Sequence, residues 1–188
     1  MFYVPCSMKK RGFTLIEMMV SVTIFTIVIA MGFGVFSSAI RLQTKALSSQ
    51  KLLDEVSFVA EYMSRLMRMA VKDEDGSCMG VANLNYLKTA SGVKFESYKD
   101  ECLEFSRVWD GSEGVWRLRE DKDGVQNYFT SPDFDVLSFS VGPDDSWDQN
   151  DSDQPRVTFS LEVEGTTLEP ARIYLQTTIS QRNLDIEI

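Results

Sequence analysis

Histidine is missing from this chain: none occurs in 188 residues. Histidine is the most frequent general base in enzymes and a common zinc ligand. Its absence excludes histidine-dependent triads and most zinc sites, so we predict that the protein is not an enzyme and needs no cofactor. The balance of 28 Asp and Glu against 19 Lys and Arg makes nucleic acid a poor direct partner.

Charge is missing from one long segment. Residues 18–40 contain no charged side chain, whereas residues 9–11 are Lys, Lys and Arg. A bilayer core of about 30 Å needs about 20 apolar residues in a helix, and residues 13–36 supply enough. Cations beside such a run stay on the cytoplasmic side. We predict a single-pass inner-membrane protein whose C-terminal domain is periplasmic or extracellular.

A cleaved secretory signal is the alternative interpretation of this segment. Ser37-Ser38-Ala39 fits a small-residue cleavage site, although a signal peptide has an apolar region of only about 7 to 15 residues. The corresponding alternative function is an extracytoplasmic β-domain, anchored or secreted, that binds a ligand and is not assembled into filaments.

Proline is missing from residues 13–72, so one long helix is predicted there. Its second half carries a stripe with alternating spacings of four and three residues, broadened by Leu52, Val59 and Leu66. Because Ala, Ser and Met are poor coiled-coil seam residues, we expect the stripe to pack on a sheet. The stripe consists of Leu42, Ala46, Ser49, Leu53, Val56, Ala60, Met63, Met67 and Ala70.

The rest of the chain, residues 73–188, has the pattern of a β-rich domain. Alternating apolar and polar residues bounded by turn residues predict strands, and Asp123-Gly124 predicts a hairpin. Residues 83–92 fit either a short strand or a loop. The fold class is therefore α+β, with the long helix covering one face of an antiparallel sheet. The predicted strands are 93–95, 101–105, 115–119, 126–130, 135–141, 156–163 and 172–179.

An acidic loop between two of these strands is the one weak candidate for a metal site. Asp144, Asp148 and Asp153 offer the oxygen ligands that Ca²⁺ prefers. The central Gly and the final bidentate Glu of a calcium-binding loop of the EF-hand type are both absent. We therefore predict a solvated acidic loop and no metal site.

The N-terminal block resembles the processing site of type IV pilins and type II secretion pseudopilins: a basic leader ends in Gly12, Phe13 follows, and Glu17 comes four residues later. The resemblance implies a leader of residues 1–12, cleavage after Gly12 by prepilin peptidase, and methylation of Phe13. It also implies a pilin-like fold. The expected partners are that peptidase, inner-membrane lipid and the other pilins or pseudopilins of a filament.

Glu17 has two interpretations. An acid in a membrane segment is costly and is by default a functional residue with a partner. In the resembled family this Glu pairs with the N-terminal amine of a neighbouring subunit, which would make Glu17 an assembly residue. The alternative is that Glu17 reaches the lipid headgroups and pairs with nothing.

The C-terminal strand, with its Leu175 to Asn183 ending, resembles that of J-type minor pseudopilins. The resemblance implies a low-copy subunit of a pilus or pseudopilus. If Cys6 is removed with the leader, Cys78 and Cys102 remain as an even pair. They form either a disulfide, as is typical outside the cytoplasm, or two separate buried thiols.

Overall fold

The computed structural model describes residues 12–142, 154–166 and 170–182. The architecture is α+β and pilin-like, with one long N-terminal helix followed by antiparallel sheets. The chain divides into two compact units between Thr44 and Lys45. The elements of the described residues are α1 (Leu15–Arg68), β1 (Ala70–Val71), β2 (Leu87–Lys88), β3 (Gly92–Ser97), β4 (Cys102–Asp110), β5 (Val115–Lys122), β6 (Val125–Tyr128), β7 (Phe134–Gly142), β8 (Arg156–Gly165) and β9 (Arg172–Ser180).

The second half of α1 packs on the sheets through one face. Its buried residues are spaced three or four apart, as a single helix face requires. The stripe is rotated relative to the prediction, because Leu53 is 53% exposed and Leu52 is fully buried. Both residues fit a period of 3.6, and only the position of the sheet decides between them. The buried residues are Leu52, Val56, Val59, Met63 and Met67.

The helix ends at Arg68, four residues before the predicted end, because the next residues join a sheet. Ala70 pairs with Ser97 of β3, and Val71 pairs with Glu96. The last carbonyls of a helix lack partners within the helix. Here they accept hydrogen bonds from distant donors: the hydroxyl of Tyr86 donates to the Met67 carbonyl at 2.6 Å, and the Arg182 amide donates to the Arg68 carbonyl at 2.8 Å.

The first sheet has the strand order β1-β3-β4-β5-β6, and β2 also pairs with β3. The predicted hairpin at Asp123-Gly124 is confirmed: it joins β5 to β6, with Lys122 opposite Val125. Both turn residues have positive φ, 50° and 86°, as a type I′ turn requires. Residues 83–92 contain the two-residue strand β2, so both interpretations of that segment were partly right.

The second sheet has the order β7-β8-β9. Alternation in β8 is as predicted, and its core face is Val157, Phe159, Leu161 and Val163. Strand β7 lies beside the first sheet: Asp135 accepts a hydrogen bond from the Trp116 amide at 2.8 Å. Trp116 itself is half-buried against the core.

Arg107 also joins the two sheets. Its Nε donates to the Val136 carbonyl at 2.6 Å, and its guanidinium lies 3.9 Å from the centre of the Trp116 ring. Burial lowers the pKa of Arg107 from its ordinary value. The side chain of an arginine can only donate hydrogen bonds. Arg107 therefore links the two sheets as a hydrogen-bond donor.

Candidate processing and assembly site

The predicted processing residues stand at the start of α1. Gly12, Phe13 and Thr14 precede the helix, and all three are exposed. The helix begins at Leu15, so Thr14 is its N-cap and Glu17 is the third residue of its first turn. The candidate cleavage position between Gly12 and Phe13 therefore lies in exposed chain just outside a helix.

Thr14 and Glu17 form a reciprocal capping box. The Glu17 amide donates to Thr14 Oγ1 at 3.3 Å, and the Thr14 amide donates to Glu17 Oε2 at 3.2 Å. The Thr14 hydroxyl also donates to the same oxygen at 3.1 Å. These bonds satisfy donors that the first turn of a helix otherwise leaves without partners. Glu17 is thus a structural residue of its own subunit, a role the sequence analysis missed.

This cap could have been predicted from the Thr-x-x-Glu spacing of residues 14 to 17. A Ser or Thr followed three residues later by Glu, just before an apolar run, predicts a helix start. The cap also has a chemical consequence for Glu17. It turns the carboxylate back toward Thr14, whose amide and hydroxyl both donate to Oε2.

The helix after this cap presents an apolar surface. All described residues from 12 to 47 are exposed, including the whole uncharged segment. The chain has one described helix that is long and apolar enough to cross a membrane, by length and composition. In water such a continuous apolar surface is unfavourable, so it marks a surface that lipid or other protein covers.

The hydroxyl groups in the apolar segment are bonded to the helix itself. Ser21 donates to the Glu17 carbonyl at 2.7 Å, Thr23 to the Val20 carbonyl at 2.8 Å and Thr26 to the Thr23 carbonyl at 2.8 Å. Polar groups that lack partners are costly in hydrocarbon. The three hydroxyls of residues 18–36 therefore leave no free donor facing outward.

Cys78 and Cys102 are joined in a disulfide, with their Cα atoms 5.3 Å apart. The bond ties the loop after β1 to the start of β4. The acidic-loop residues Asp144, Asp148 and Asp153 lie outside the described residues. Within the described part of the chain, no group of three Cys, Asp or Glu residues is placed to hold a metal ion.

Two charged residues of the second unit, Asp110 and Arg117, have structural partners. Asp110 binds the Ser112 hydroxyl at 2.6 Å and Arg117 Nη1 at 2.9 Å. The hydrogen bond from Ser112 makes the largest contribution and the hydrogen bond from Arg117 the second largest; together they lower the pKa of Asp110 to about 2. The guanidinium of Arg117 also donates to the Thr130 carbonyl. The pair holds the end of β4 to β5.

Tyr62 connects α1 to the first sheet. Its hydroxyl donates to Glu120 Oε1 at 2.8 Å, and its ring packs against Phe105 and Phe129. Burial, followed by the Glu120 carboxylate, raises the Tyr62 pKa to about 12. The tyrosine therefore stays a neutral donor at any physiological pH.

The profile of the prokaryotic N-terminal methylation motif matches residues 7–33 of the chain. Comparisons with curated proteins and with solved structures gave no significant match. The matched segment contains the candidate cleavage position, the capping box and the first part of the exposed apolar surface. Together with the long N-terminal helix, this motif fits a type IV pilin-like protein.

Proposed function

We propose that this pilin-like precursor is cut after Gly12 by prepilin peptidase, methylated on Phe13, and assembled as a minor subunit of a type II secretion pseudopilus or type IV pilus. The observation that carries the proposal is the methylation motif over residues 7–33, which contains the start of the exposed apolar helix. The peptidase and the pilin-like class follow from the motif itself. The minor role and the kind of filament are our inference.

The proposed location is the inner membrane, with residues 1–12 cytoplasmic and the second unit in the periplasm or outside the cell. Two observations support this orientation. Residues 9–11 supply three cations at the side that should remain cytoplasmic. The Cys78–Cys102 disulfide fits an oxidising compartment, because such bonds are rare in the cytoplasm.

The capping box suggests how Glu17 takes part in assembly. Its carboxylate is already held toward the helix N-terminus, so few rotamers remain to be lost when it meets a partner. After cleavage Phe13 carries an α-amino group. In the membrane an unpaired acid costs about 2.5 to 3.5 kcal/mol at the bilayer centre, and less near the surface. Pairing with the Phe13 amine of a neighbouring subunit removes much of that cost.

The first test is the mature N-terminus. Mass spectrometry of the protein extracted from membranes is expected to show a chain that begins with methylated Phe13. An intact Met1, or a terminus after Ala39, would contradict the proposal. Either of those results would instead favour the anchored or secreted binding module.

The second test separates the two roles of Glu17. Glu17→Gln keeps a capping box, because Gln also serves at this position, but it removes the charge. Thr14→Ala removes both bonds of the Thr14 hydroxyl and keeps the charge of Glu17. We expect Glu17→Gln to be cleaved and inserted normally but to be lost from purified filaments, whereas Thr14→Ala is still incorporated.

The opposite pattern would show that Glu17 serves only its own helix. If Glu17→Gln enters filaments at the parental level while Thr14→Ala does not, the amine-pairing role is wrong. Immunoblots of the membrane fraction supply the control, since both variants must reach the membrane in equal amounts.

The minor role is tested by stoichiometry. Contacts between filament subunits are heterologous, so different chains can occupy successive positions. Quantitative mass spectrometry of purified filaments is expected to find this chain at a few per cent of the main subunit or less. Comparable abundance would make it a main subunit, in disagreement with the resemblance of its C-terminal strand to J-type minor proteins.

A further inference from the structure

The chain leaves the second sheet beside β1. Just after β9, the side-chain amide of Gln181 donates to the Ala70 carbonyl at 2.6 Å. The backbone amide of Arg182 then donates to the Arg68 carbonyl at 2.8 Å. Residues 183–188 lie outside the described residues, and these two bonds place their point of attachment, Arg182, at the outer edge of β1.

The outer edge of β1 has no partner strand in the described part of the chain, since β1 pairs there with β3 alone. Ala70 directs its backbone groups to this edge, where its carbonyl accepts the bond from Gln181. The amide of Ser97, opposite Ala70 in β3, donates to the Glu101 carbonyl instead of to Ala70. Val71 faces β3, because neighbouring residues of a strand direct their backbone groups to opposite edges. The outer edge therefore offers the backbone groups of Ala70 to a further strand.

A chain that continues straight past Arg182 runs parallel to β1. At the start of β9, the amide of Gly165 bonds to the residue before the strand, and Gly165 lies next to the Ser48 hydroxyl of α1. At the end of β9, Arg182 is bonded to Arg68 of the same helix. β9 and the second half of α1 therefore run in the same direction, and β1 follows directly after the helix.

The bond between Arg182 and Arg68 also sets the register of such a strand. In a parallel pair, an amide donates to the carbonyl of the residue that precedes its partner. Arg182 is therefore opposite Met69, and two residues later Leu184 is opposite Val71. Opposite residues place their side chains on the same face of a sheet.

That face of β1 carries a groove of about 480 Å³, called here the β1 groove. Tyr98 at its wall is 55% exposed. Residues 184, 186 and 188 are Leu, Ile and Ile, and they alternate with two acids. The register directs these three apolar side chains along the groove, where their burial is favourable. The β1 groove is lined by Met69, Ala70, Val71, Tyr98 and Arg182.

The opposite face provides polar partners for the same register. Gln181 is 5% exposed, and its Oε1 is buried without a hydrogen-bond partner among the described residues. A buried acceptor without a partner is costly. Asn183 lies two residues further along, on the same face, and its side-chain amide is a donor. Asp185 then lies beside Lys72, which has the opposite charge.

We propose that residues 183–188 form a strand parallel to β1 and fill the β1 groove, with Leu184 packed against Val71 and Tyr98. The strand continues β9 and extends the first sheet, so one segment joins the two sheets at the end of α1 and closes the outer edge of β1 to other chains. The contact lies within one chain and sets no condition on how subunits face each other in a membrane. It goes beyond the proposed function and is independent of cleavage at Gly12.

Disulfide trapping within one chain tests the register. Neighbouring strands lie about 4.7 to 4.9 Å apart, a separation that a disulfide spans. Full-length chain carrying Cys6→Ser, Val71→Cys and Leu184→Cys, in membranes treated with a mild oxidant, is expected to form this bond. Trypsin cuts after residues 68, 72 and 182, so mass spectrometry without reduction should find peptide 69–72 joined to peptide 183–188.

Two matched pairs serve as controls. Val71→Cys with Asp185→Cys places the second thiol on the opposite face, and Val71→Cys with Ile188→Cys places it on the same face about 13 Å further along. Each is expected to give at most a tenth of the cross-link of the first pair. Equal yields of the three pairs, or no bond between positions 71 and 184, would overturn the proposal. A bond that joins two chains would also overturn it, because the groove would then hold the segment of a second copy.

Thiol accessibility gives a second readout. In the Cys6→Ser background, maleimide labelling of Val71→Cys is expected to be at least tenfold faster when the chain ends at Arg182. Leu184→Asp should also accelerate labelling, and it separates loss of docking from an effect of shortening the chain. Val125→Cys, at a position that is 63% exposed on β6, should be labelled equally in all three chains. Equal labelling of Val71→Cys in the three chains would contradict the docked segment.

Discussion

The two halves of α1 share one backbone and differ in what covers them. From residue 12 to residue 47 every described side chain is exposed, and residues 18–40 carry no charge. From Leu52 to Met67 the same helix is amphipathic, and five residues are buried against the sheets. A helix that is apolar all round needs an apolar environment, whereas an amphipathic helix needs one packing partner.

The exposed apolar side chains of the first half therefore indicate a surface that other molecules cover, and they are not a packing defect. The second half obtains its stability from the chain's own sheets. In the proposed function the first half is covered by lipid and by neighbouring subunits. Substitutions in the first half should therefore affect anchoring and assembly, and those in the second half should affect unfolding.

The largest expected effect comes from a matched pair of methionines. Met63 is fully buried and Met31 is 67% exposed on the same helix. Met63→Ala is expected to reduce the free energy of unfolding by about 2 to 5 kcal/mol, because it leaves a cavity. Met31→Ala should leave it nearly unchanged. Urea unfolding in mild detergent, followed by tryptophan fluorescence, measures both; equal effects would remove the distinction between the halves.

The disulfide contributes to the second unit only. Replacing both Cys78 and Cys102 by Ser is expected to reduce the free energy of unfolding by roughly 3 kcal/mol, since the bond closes a loop of 24 residue steps in the unfolded chain. Insertion of the first half of α1 into membranes should not change. If the double variant is both less stable and no longer retained in the membrane fraction, the two units are coupled.

A smaller effect is expected at the start of the helix. Thr14→Ala removes the side-chain N-cap bond and should cost about 1 kcal/mol of local helix stability. Hydrogen exchange of amides in the first turn is expected to accelerate, while exchange near Met63 stays the same. Faster exchange throughout α1 would mean that the first half supports the second.

The smallest expected effect depends on pH. The folded-state pKa of Asp110, about 2, lies below its ordinary value near 3.9, so the unfolded chain binds more protons between these two pH values. The stabilisation is complete above about pH 4 and is lost as the pH falls through about 2. Ser112→Ala removes the principal cause and should raise the Asp110 pKa, measured by NMR titration of its carboxyl group. An unchanged pKa would assign the shift to Arg117.

Local pattern was sufficient for several features. The α+β class follows from one long uninterrupted helical period and then period-two segments, and the seven longer strands lie where alternation predicts them. Asp123-Gly124 specifies its own turn, because the I′ geometry needs two residues that tolerate positive φ. The capping box could also have been predicted from the spacing of Thr14 and Glu17, although the sequence analysis did not predict it.

Other features depended on contacts distant in sequence. The end of α1 was predicted near residue 72, where residues 73–77 form a polar turn that contains a Gly, but the helix ends at Arg68. The stop is set by the pairing of Ala70 with Ser97, and by Tyr86 and Arg182 donating to the last carbonyls. Helical propensity is a weak preference that such pairing overrides.

The methylation motif, the uncharged apolar segment and the strand periodicity could all be identified from the sequence, because each depends on residues close together along the chain. Contacts distant in sequence set where within the predicted stripe the buried face of α1 is centred, where the helix ends, how the two sheets meet and which strand lies at an edge. Leu52 and Leu53 are equally apolar neighbours, and only the sheet packed on one of them distinguishes the two. Whether Leu52 or Leu53 is buried is therefore determined by long-range packing, because the local pattern fits both residues equally.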